Sequence, residues 1–304
     1  MNVTITGATG TIGSAVVARL VARGDEVTAL SRNVAQAKER LGKRVRVLEW
    51  PDPSAAPPPV ESLSGADGVV HLLGEPVAQR WSERAKEEIR DSRVLSTRNL
   101  VAALREADER PSVLVSQSAS GWYGPRGDEK VDESESAADD FLAGVVVDWE
   151  AEARAAEQLG MRVALTRTGV VLSESGGALE KMLPPFKLGV GGPVAGGEQY
   201  VPWIHTDDVV GAILFCLDTK GASGPINLSA PEPVTNKELS KTLGRVLRRP
   251  AVAPVPALAL RALYGEMASI VTTGVRMMPA RLQELGYEFA QPDLEQALRS
   301  ATGR

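Results

Sequence analysis

Short runs of apolar residues alternate with longer segments of helical periodicity through the first half of the chain. The runs typical of strands lie at 3–5, 26–30, 45–48, 68–74, 113–115 and 163–165. Apolar residues three and four positions apart predict helices after the first run and at 34–41, 83–107 and 139–159. Strands that alternate with helices need crossover connections. The pattern therefore predicts a doubly wound α/β fold, a parallel sheet with helices on both faces.

A glycine-rich turn joins the first predicted strand to the first predicted helix. Gly7 permits a tight turn, Gly10 lets the backbone approach a pyrophosphate, and Gly13 lets the helix pack closely on the strand. The start of the helix offers free N–H groups to the phosphates. A plain turn is the alternative, but the strand–turn–helix context favours a Rossmann-type dinucleotide site. Its predicted cofactor contacts are Gly7, Thr9, Gly10, Thr11, Ile12 and Gly13.

The end of the second predicted strand indicates which dinucleotide binds. Sites for NAD usually have an acidic residue there, which accepts a hydrogen bond from the ribose 2′-hydroxyl. This chain has Ser31 and Arg32 instead, and an arginine can form a bidentate pair with a 2′-phosphate. A solvated arginine near a helix start is the alternative. We predict NADP(H) as the cofactor.

The alternation of strand and helix weakens after Thr168. Glycines interrupt a loop-rich stretch, and the segment from Pro254 onward is typical of short helices with little strand. We therefore expect a dinucleotide-binding Rossmann domain and a smaller mixed, mostly helical C-terminal substrate lobe. Their ranges are 1–170 with 200–225 for the first and 171–199 with 226–304 for the second.

Composition and charge argue against several classes of protein. The 304 residues include 34 Lys+Arg and 39 Asp+Glu, a formal net charge of −5, which argues against a nucleic-acid or anionic-membrane surface. One cysteine and two histidines leave no disulfide scaffold and no Cys/His metal site. No apolar run is long enough to span a membrane, and the N-terminus does not resemble a signal peptide. We expect a cytoplasmic protein with a small-molecule partner and no metal.

Several motifs carry a family resemblance. With the turn at 6–13, the run at 68–74 and the segment 202–209, the chain resembles an extended short-chain dehydrogenase/reductase, a superfamily that includes the nucleotide-sugar epimerases. It is most similar to an atypical branch, the epimerase-family oxidoreductases with a small C-terminal domain of unassigned function. The motifs of that branch lie at 73–76, 81–93, 149–150, 167–172, 263–268 and 279–282. The resemblance implies cofactor contacts at Ser31, Arg32, Leu72, Leu73, Gly74, Glu88 and Arg93. For Arg93 a surface ion pair is the alternative.

The usual proton-transfer pair of that superfamily is absent. Most members place Tyr-x-x-x-Lys on one helix, where the lysine lowers the tyrosine pKa so that the phenol can move a proton. The predicted helix at 139–159 contains neither Tyr nor Lys. Four positions after the tyrosines come Gly127, Ile204, Ala268 and Gln291.

Three hydroxyl groups after the fifth predicted strand are candidates to replace the missing pair. Ser118 and Ser120 lie on either side of the position where relatives place a catalytic serine, and a serine-rich loop that ends the strand is the alternative. Tyr123 lacks a neighbouring cation in the sequence, so its pKa should stay near 10. We expect Tyr123 to act as a hydrogen-bond donor rather than as a base.

Polar and aromatic residues near the same sheet edge are candidates for a substrate pocket. We predict contacts from Glu75, Trp122, Trp203 and His205, with core packing between the lobes as the alternative. The structural interpretation of the segment around His205 is that Thr206 or Asp207 caps the next helix. His71, inside an apolar strand, is expected to be a hydrogen-bonded core residue.

Two functions fit these residues. The first is an NADP(H)-binding oxidoreductase or epimerase that acts on a small carbonyl, sugar or nucleotide-sugar-like compound. The second is an NADP(H)-sensing regulatory protein that has lost turnover. The aromatic pocket residues favour the first, whereas the missing Tyr–Lys pair favours the second. The two longest predicted helices could pair across a two-fold axis, so both monomer and homodimer are expected alternatives.

Overall fold

The computed structural model describes residues 1–173 and 176–304 and confirms the doubly wound α/β fold. The strands are β1 (Asn2–Thr6), β2 (Glu26–Ser31), β3 (Val45–Glu49), β4 (Gly68–His71), β5 (Val113–Ala119), β6 (Lys130–Val131), β7 (Arg162–Thr168), β8 (Val170–Leu172), β9 (Tyr200–Val201), β10 (Trp203–His205), β11 (Gly224–Leu228), β12 (Val234–Thr235) and β13 (Arg276–Met277). The helices are α1 (Thr11–Arg23), α2 (Val34–Leu41), α3 (Glu83–Glu106), α4 (Phe141–Arg154), α5 (Gly177–Lys187), α6 (Thr206–Asp218), α7 (Asn236–Leu247), α8 (Ala257–Tyr264), α9 (Ser269–Thr272), α10 (Ala280–Glu284) and α11 (Leu294–Ala301).

The central sheet sets the position of any ligand site. Among the described residues it contains seven parallel strands in the order β3-β2-β1-β4-β5-β7-β11. The strand order reverses between β1 and β4, where Thr6 pairs with His71. In open α/β sheets, ligands bind outside the carboxyl ends of the strands at such a switch point.

The two faces of the sheet bury different residues because side chains alternate along each strand. Ile5 and Val115 pack with the apolar residues of α1 and α6 in one core cluster. Val69 and Leu114 pack with the apolar residues of α3 in a second cluster on the other face. Strands buried on both faces read as nearly continuous apolar runs, as the sequence pattern indicated.

The smaller lobe has its own core, formed by α5, α7, α11 and Trp203. The predicted division at 225/226 falls within β11. That strand pairs with β7 along Gly224–Leu228 and completes the sheet. No helix in the described ranges combines the length and apolarity that a membrane crossing requires.

Two predicted elements end earlier than the pattern indicated. The strand expected at 68–74 stops at His71, where the backbone N–H of Leu72 donates to the Thr6 hydroxyl at 3.1 Å instead of continuing the ladder. The helix expected at 139–159 is α-helical only to Arg154 and then tightens into a 3₁₀ helix at Ala155–Leu159. Because β4 ends early, the residues from Leu72 onward leave the sheet beside the switch point.

His71 is a fully buried member of the core, as expected. Its Nδ1 lies 2.8 Å from the Thr6 hydroxyl and its Nε2 lies 2.9 Å from the Thr97 hydroxyl, so both ring nitrogens have partners. Burial lowers the pKa of His71 to about 3. The ring is therefore neutral in the folded protein at ordinary pH.

We expect His71 to make folding sensitive to acid. In the unfolded chain it takes up a proton below pH about 6.5, whereas in the fold it stays neutral down to about 3. The unfolded state binds more protons in that window, so this term lowers the free energy of unfolding as the pH falls, by about 1.4 kcal/mol per pH unit. Denaturant titrations at several pH values should show that His71→Asn flattens this slope. A slope equal to that of the parent protein would contradict the prediction.

Candidate functional site

The glycine-rich turn lies at the carboxyl end of β1, beside the switch point. Gly7 has φ +64°, a left-handed value that favours glycine, and a Cβ there would lie 2.6 Å from the Leu72 carbonyl oxygen. A Cβ on Gly13 would lie 2.1 Å from the Gly7 carbonyl oxygen. Gly10 is the N-cap of α1 and supplies no side-chain cap to the first N–H groups of the helix. This cradle fits a pyrophosphate.

The remaining residues predicted in the turn frame the cradle. Thr11 begins α1, and a Cβ on Gly176 would lie 2.3 Å from its hydroxyl oxygen, so the chain before α5 approaches the turn closely. Ile12 packs against the core beneath the turn. Thr9 is partly buried within it. A cofactor contact by each of these side chains stays a prediction.

Ser31 and Arg32 lie at the carboxyl end of β2, as predicted. The Arg32 side chain is 70% exposed, and its Nη1 lies 3.7 Å from a carboxylate oxygen of Glu75. The Ser31 hydroxyl donates to the carbonyl oxygen of Asn33 at 3.1 Å. Exposed ion pairs contribute little, so the Arg32 guanidinium can exchange this contact for a phosphate. Glu75 was predicted to contact the substrate, and in the structure its carboxylate faces Arg32.

Arg93 of α3 fixes the loop that follows β4. Its guanidinium donates to the carbonyl oxygens of Ile89 at 2.9 Å and Glu75 at 3.0 Å, and it lies 5.4 Å from the centre of the Trp149 ring. A Cβ on Gly74 would lie 2.9 Å from the guanidinium carbon, so this contact needs glycine. Burial lowers the pKa of Arg93 to about 10. The guanidinium bonds to backbone carbonyls rather than forming the surface ion pair considered above.

Glu88 lies on the exposed side of α3. Its carboxylate accepts a hydrogen bond from Arg84 Nε at 2.8 Å, one helical turn earlier. This contact stays within the helix and connects Glu88 to no other predicted site residue. Its cofactor contact therefore stays a prediction from the family resemblance.

A buried ion pair lies on the helix that was expected to carry the Tyr–Lys pair. Glu150 of α4 accepts from Arg167 of β7 at 2.8 Å and 3.0 Å, and these residues are only 2% and 1% exposed. Ser118 donates to the same carboxylate at 2.7 Å. Burial lowers the pKa of Arg167, but its interactions with Glu150 and Tyr123 together outweigh that effect, so the pKa is raised.

Tyr123 belongs to the same buried network. Its hydroxyl donates to Asn227 Oδ1 at 2.7 Å and accepts from Arg167 Nη1 at 3.1 Å. Burial raises the pKa of Tyr123 to about 12, although the neighbouring Arg167 acts in the opposite direction. The Asn227 side-chain amide donates to the Met278 carbonyl oxygen at 2.9 Å. Tyr123 is thus linked through Asn227 of β11 to the C-terminal lobe.

Ser118 and Tyr123, which were predicted to be catalytic, are both buried, and their hydroxyls are hydrogen-bonded within the protein. A catalytic role for either hydroxyl stays a prediction. Ser120 remains partly exposed in the 3₁₀ turn that follows β5. Trp122, in the same turn, is also partly exposed, with its ring centre 3.8 Å from the Arg167 guanidinium carbon. Ser120 and Trp122 are the candidates in this segment that a substrate can reach.

Trp203 and His205 belong to the packed interior, and the substrate contacts predicted for them stay predictions. The buried Trp203 indole donates to the Glu232 carbonyl oxygen at 3.1 Å. His205 Nδ1 accepts from the Asp207 N–H at 3.1 Å, and burial lowers the pKa of His205. His205 therefore caps α6, the role predicted for Thr206 or Asp207.

The sequence carried a signal for the buried pair that prediction missed. Glu150 lies one helical turn after Val146 on the buried face of α4, and Arg167 lies inside an apolar strand. A charge at a buried position needs a partner. Opposite charges on consecutive buried elements therefore indicate a pair.

The fold and the turn define a class: an α/β protein of the Rossmann type with the topology of the short-chain dehydrogenase/reductases. The "NAD dependent epimerase/dehydratase family" matches residues 3–229, and the "Domain of unknown function (DUF1731)" matches residues 255–301. The chain belongs to the NAD dependent epimerase/dehydratase family and carries this additional C-terminal domain.

Relatives cover nearly the whole chain. The epimerase family protein Mb2239 of Mycobacterium bovis is 41% identical over 304 residues, covering 99% of this chain and 98% of that protein. The chloroplastic SDR39U1 homolog of Arabidopsis thaliana is 39% identical, covering 99% of this chain and 86% of that protein.

Two solved structures share the fold. Human epimerase family protein SDR39U1 with NADPH is 33% identical, with a TM-score of 0.89 over 100% of both chains. MoeE5 in complex with UDP-glucose and NAD has a TM-score of 0.78 over 100% of this chain and 98% of that one. Its 20% identity supports the fold alone.

Proposed function

We propose that the protein is an NADP(H)-dependent oxidoreductase or epimerase that acts on a small carbonyl or sugar-like compound. The glycine turn carries this proposal, because Gly7 and Gly13 lack the Cβ atoms that would clash with neighbouring backbone carbonyls, which keeps the turn tight, and the N-terminus of α1 has no side-chain cap. Arg32, 70% exposed at the end of β2, supports NADP(H) over NAD(H). The NADPH in the structure of the human relative is consistent with that preference.

The residues present fit a dinucleotide in an extended arrangement across the switch point. The turn at 7–13 would hold the pyrophosphate, Ser31 and Arg32 the 2′-phosphate, and Leu72 and Leu73 the far end beyond β4. When bound, the nicotinamide donates or accepts a hydride.

The chain's own contribution to catalysis would be orientation and a hydrogen bond. With Ser118 and Tyr123 buried, the Ser120 hydroxyl is the proposed donor to the reacting oxygen of the substrate. The buried pair Glu150–Arg167, against which the Trp122 ring lies, would hold the turn that carries Ser120. This arrangement supplies no strong base of the Tyr–Lys kind.

Isotope transfer tests the proposal. We expect NADPH deuterated on one face of C4 to transfer its label stereospecifically to a product from a panel of aldehydes, ketones and keto sugars. Ser120→Ala should slow the transfer by about tenfold, the effect of losing one hydrogen bond to a charge that develops in the reaction. Ser136→Ala, an exposed serine on the following loop, is the matched control and should leave the rate unchanged. Equal rates in both variants would remove Ser120 from the proposal.

A second candidate function is NADP(H) sensing without turnover. The burial of Ser118 and Tyr123, which leaves Ser120 as the partly exposed hydroxyl among the three that were predicted, favours it. Tight NADPH binding without label transfer to any compound of the panel would support sensing and contradict the enzymatic proposal. Failure to bind NADPH would contradict both.

A further inference from the structure

A pocket of about 540 Å³ lies between the Rossmann domain and the C-terminal lobe. One wall holds Trp81 and Lys86 from the start of α3 and Phe141 from the start of α4. The other wall comes from α8 and the short 3₁₀ helix Gly265–Ala268. Small-molecule sites of roughly 300–1,000 Å³ are common where two domains meet.

The pocket lies on the ligand side of the sheet. A crossover helix runs antiparallel to its strands, so α3 and α4 both begin near the carboxyl edge. The turn that carries Ser120 packs against the start of α4, because a Cβ on Gly121 would lie 3.4 Å from Leu142 Cβ. The start of α4, which supplies Phe141 to the pocket wall, therefore packs against the turn that carries the proposed hydrogen-bond donor.

Two aromatic rings form the apolar part of the pocket. Trp81 and Phe141 meet edge to face, with ring centres 5.3 Å apart, and both side chains stay partly exposed. The Trp81 indole donates to the Val77 carbonyl oxygen at 3.0 Å, which holds its ring in place. Such rings offer apolar faces to a flat or sugar ring.

Two of the charged side chains that line the pocket, Lys86 and Asp140, have partners within the protein. Lys86 Nζ lies 2.6 Å from a Glu266 carboxylate oxygen and 5.5 Å from the Phe141 ring centre. Asp140 accepts from the Ala143 N–H and caps α4. Within the described ranges, Arg261 on α8 makes no ion pair and no side-chain hydrogen bond. Arg261 is thus a donor in the pocket that is available to an anion.

We propose that this pocket binds the substrate, a small molecule with one flat or sugar-like ring and one phosphate or carboxylate group. The ring would lie against Trp81 and Phe141, and the anionic group would take hydrogen bonds from the Arg261 guanidinium. The C-terminal domain would then act by supplying this anion contact. The assignment rests on the proposed function, because Ser120 is the group that the reacting end of the substrate would meet.

Four small compounds distinguish the contribution of the ring to binding from the contribution of the anionic group. We titrate four compounds into protein saturated with NADPH: phenyl phosphate, benzoate, phenol and inorganic phosphate. Calorimetry and tryptophan fluorescence measure the binding of each. We expect phenyl phosphate or benzoate to bind at least about tenfold more tightly than phenol, the difference that one charge-assisted hydrogen bond supplies. The stronger of the two identifies the anionic group. Inorganic phosphate, which lacks a ring, should bind weakly.

Variants locate the binding. Arg261→Gln should lower the affinity for the preferred anionic probe about tenfold and leave the affinity for phenol unchanged. Trp81→Leu should lower the affinity for the anionic probe and for phenol. Arg249→Gln, an exposed arginine elsewhere in the lobe, is the matched control and should change neither. Equal affinity of Arg261→Gln and the parent protein, or displacement of NADPH by the probe, would overturn the assignment. NADPH is titrated in a separate experiment, and its failure to bind would contradict the proposed function. Probe binding is then measured without NADPH, and this measurement still tests the pocket.

Discussion

Replacing Arg32 with alanine should weaken NADP(H) binding by about tenfold or more while it changes NAD(H) binding little. The difference corresponds to the charge-assisted hydrogen bonds that a guanidinium makes with a 2′-phosphate, a group that NAD lacks. The side chain is 70% exposed, so part of the attraction is screened by salt. Calorimetric titration with both dinucleotides at low and high salt measures the effect. The salt dependence of NADP(H) binding should also decrease in the variant.

Two further variants keep that test specific. Arg46→Ala removes the same charge from the start of β3, away from the carboxyl ends of the strands. Arg46 is also exposed, and its loss should change the affinity for neither dinucleotide. Glu75→Gln removes the carboxylate 3.7 Å from Arg32 and should strengthen NADP(H) binding, because repulsion of the 2′-phosphate is relieved. Equal losses of NAD(H) and NADP(H) affinity in Arg32→Ala would mean that Arg32 does not recognise the phosphate.

The architecture was predictable from hydrophobic periodicity because strands buried on both faces and amphipathic helices leave strong patterns. The ends of elements were less predictable. Leu72 and Leu73 are as apolar as the strand before them, yet the chain leaves the sheet after His71. The cause is that the Leu72 backbone N–H donates to the Thr6 hydroxyl instead of to a neighbouring strand. β11 was missed because a short edge strand, with Gly224 and Pro225 at its start, resembles a loop in sequence.

The candidate site divides in the same way. The glycine turn was predictable because Gly7 and Gly13 are required by local geometry. Tyr123 was not, because its burial depends on contacts with Asn227 and with β13, which lie far away in the sequence. A tyrosine after a strand looks available to a substrate, whereas only the fold shows that its hydroxyl is already bonded.

Replacing Glu150 with alanine should destabilise the protein by about 3–5 kcal/mol, the cost of leaving one partner of a buried ion pair without its counter-charge. Arg167 is 1% exposed and donates two hydrogen bonds to the carboxylate that is lost, and the Ser118 hydroxyl loses its acceptor as well. Denaturant unfolding followed by circular dichroism measures the change. A loss of this size is a large share of the roughly 5–15 kcal/mol that stabilises a typical domain, so Glu150→Gln, which keeps one acceptor oxygen, provides a milder variant.

Glu152, two residues along the same helix, supplies the matched control. Its carboxylate lies 2.6 Å from Arg98, but both side chains are partly or largely exposed, so Glu152→Ala should cost less than about 1 kcal/mol. If the penalty in Glu150→Ala comes from the unpaired guanidinium, the double variant Glu150→Ala/Arg167→Met should recover part of the stability, because no buried charge remains. Equal effects of Glu150→Ala and Glu152→Ala, or a double variant as unstable as the sum of its single changes, would show that the pair does not hold this part of the fold together.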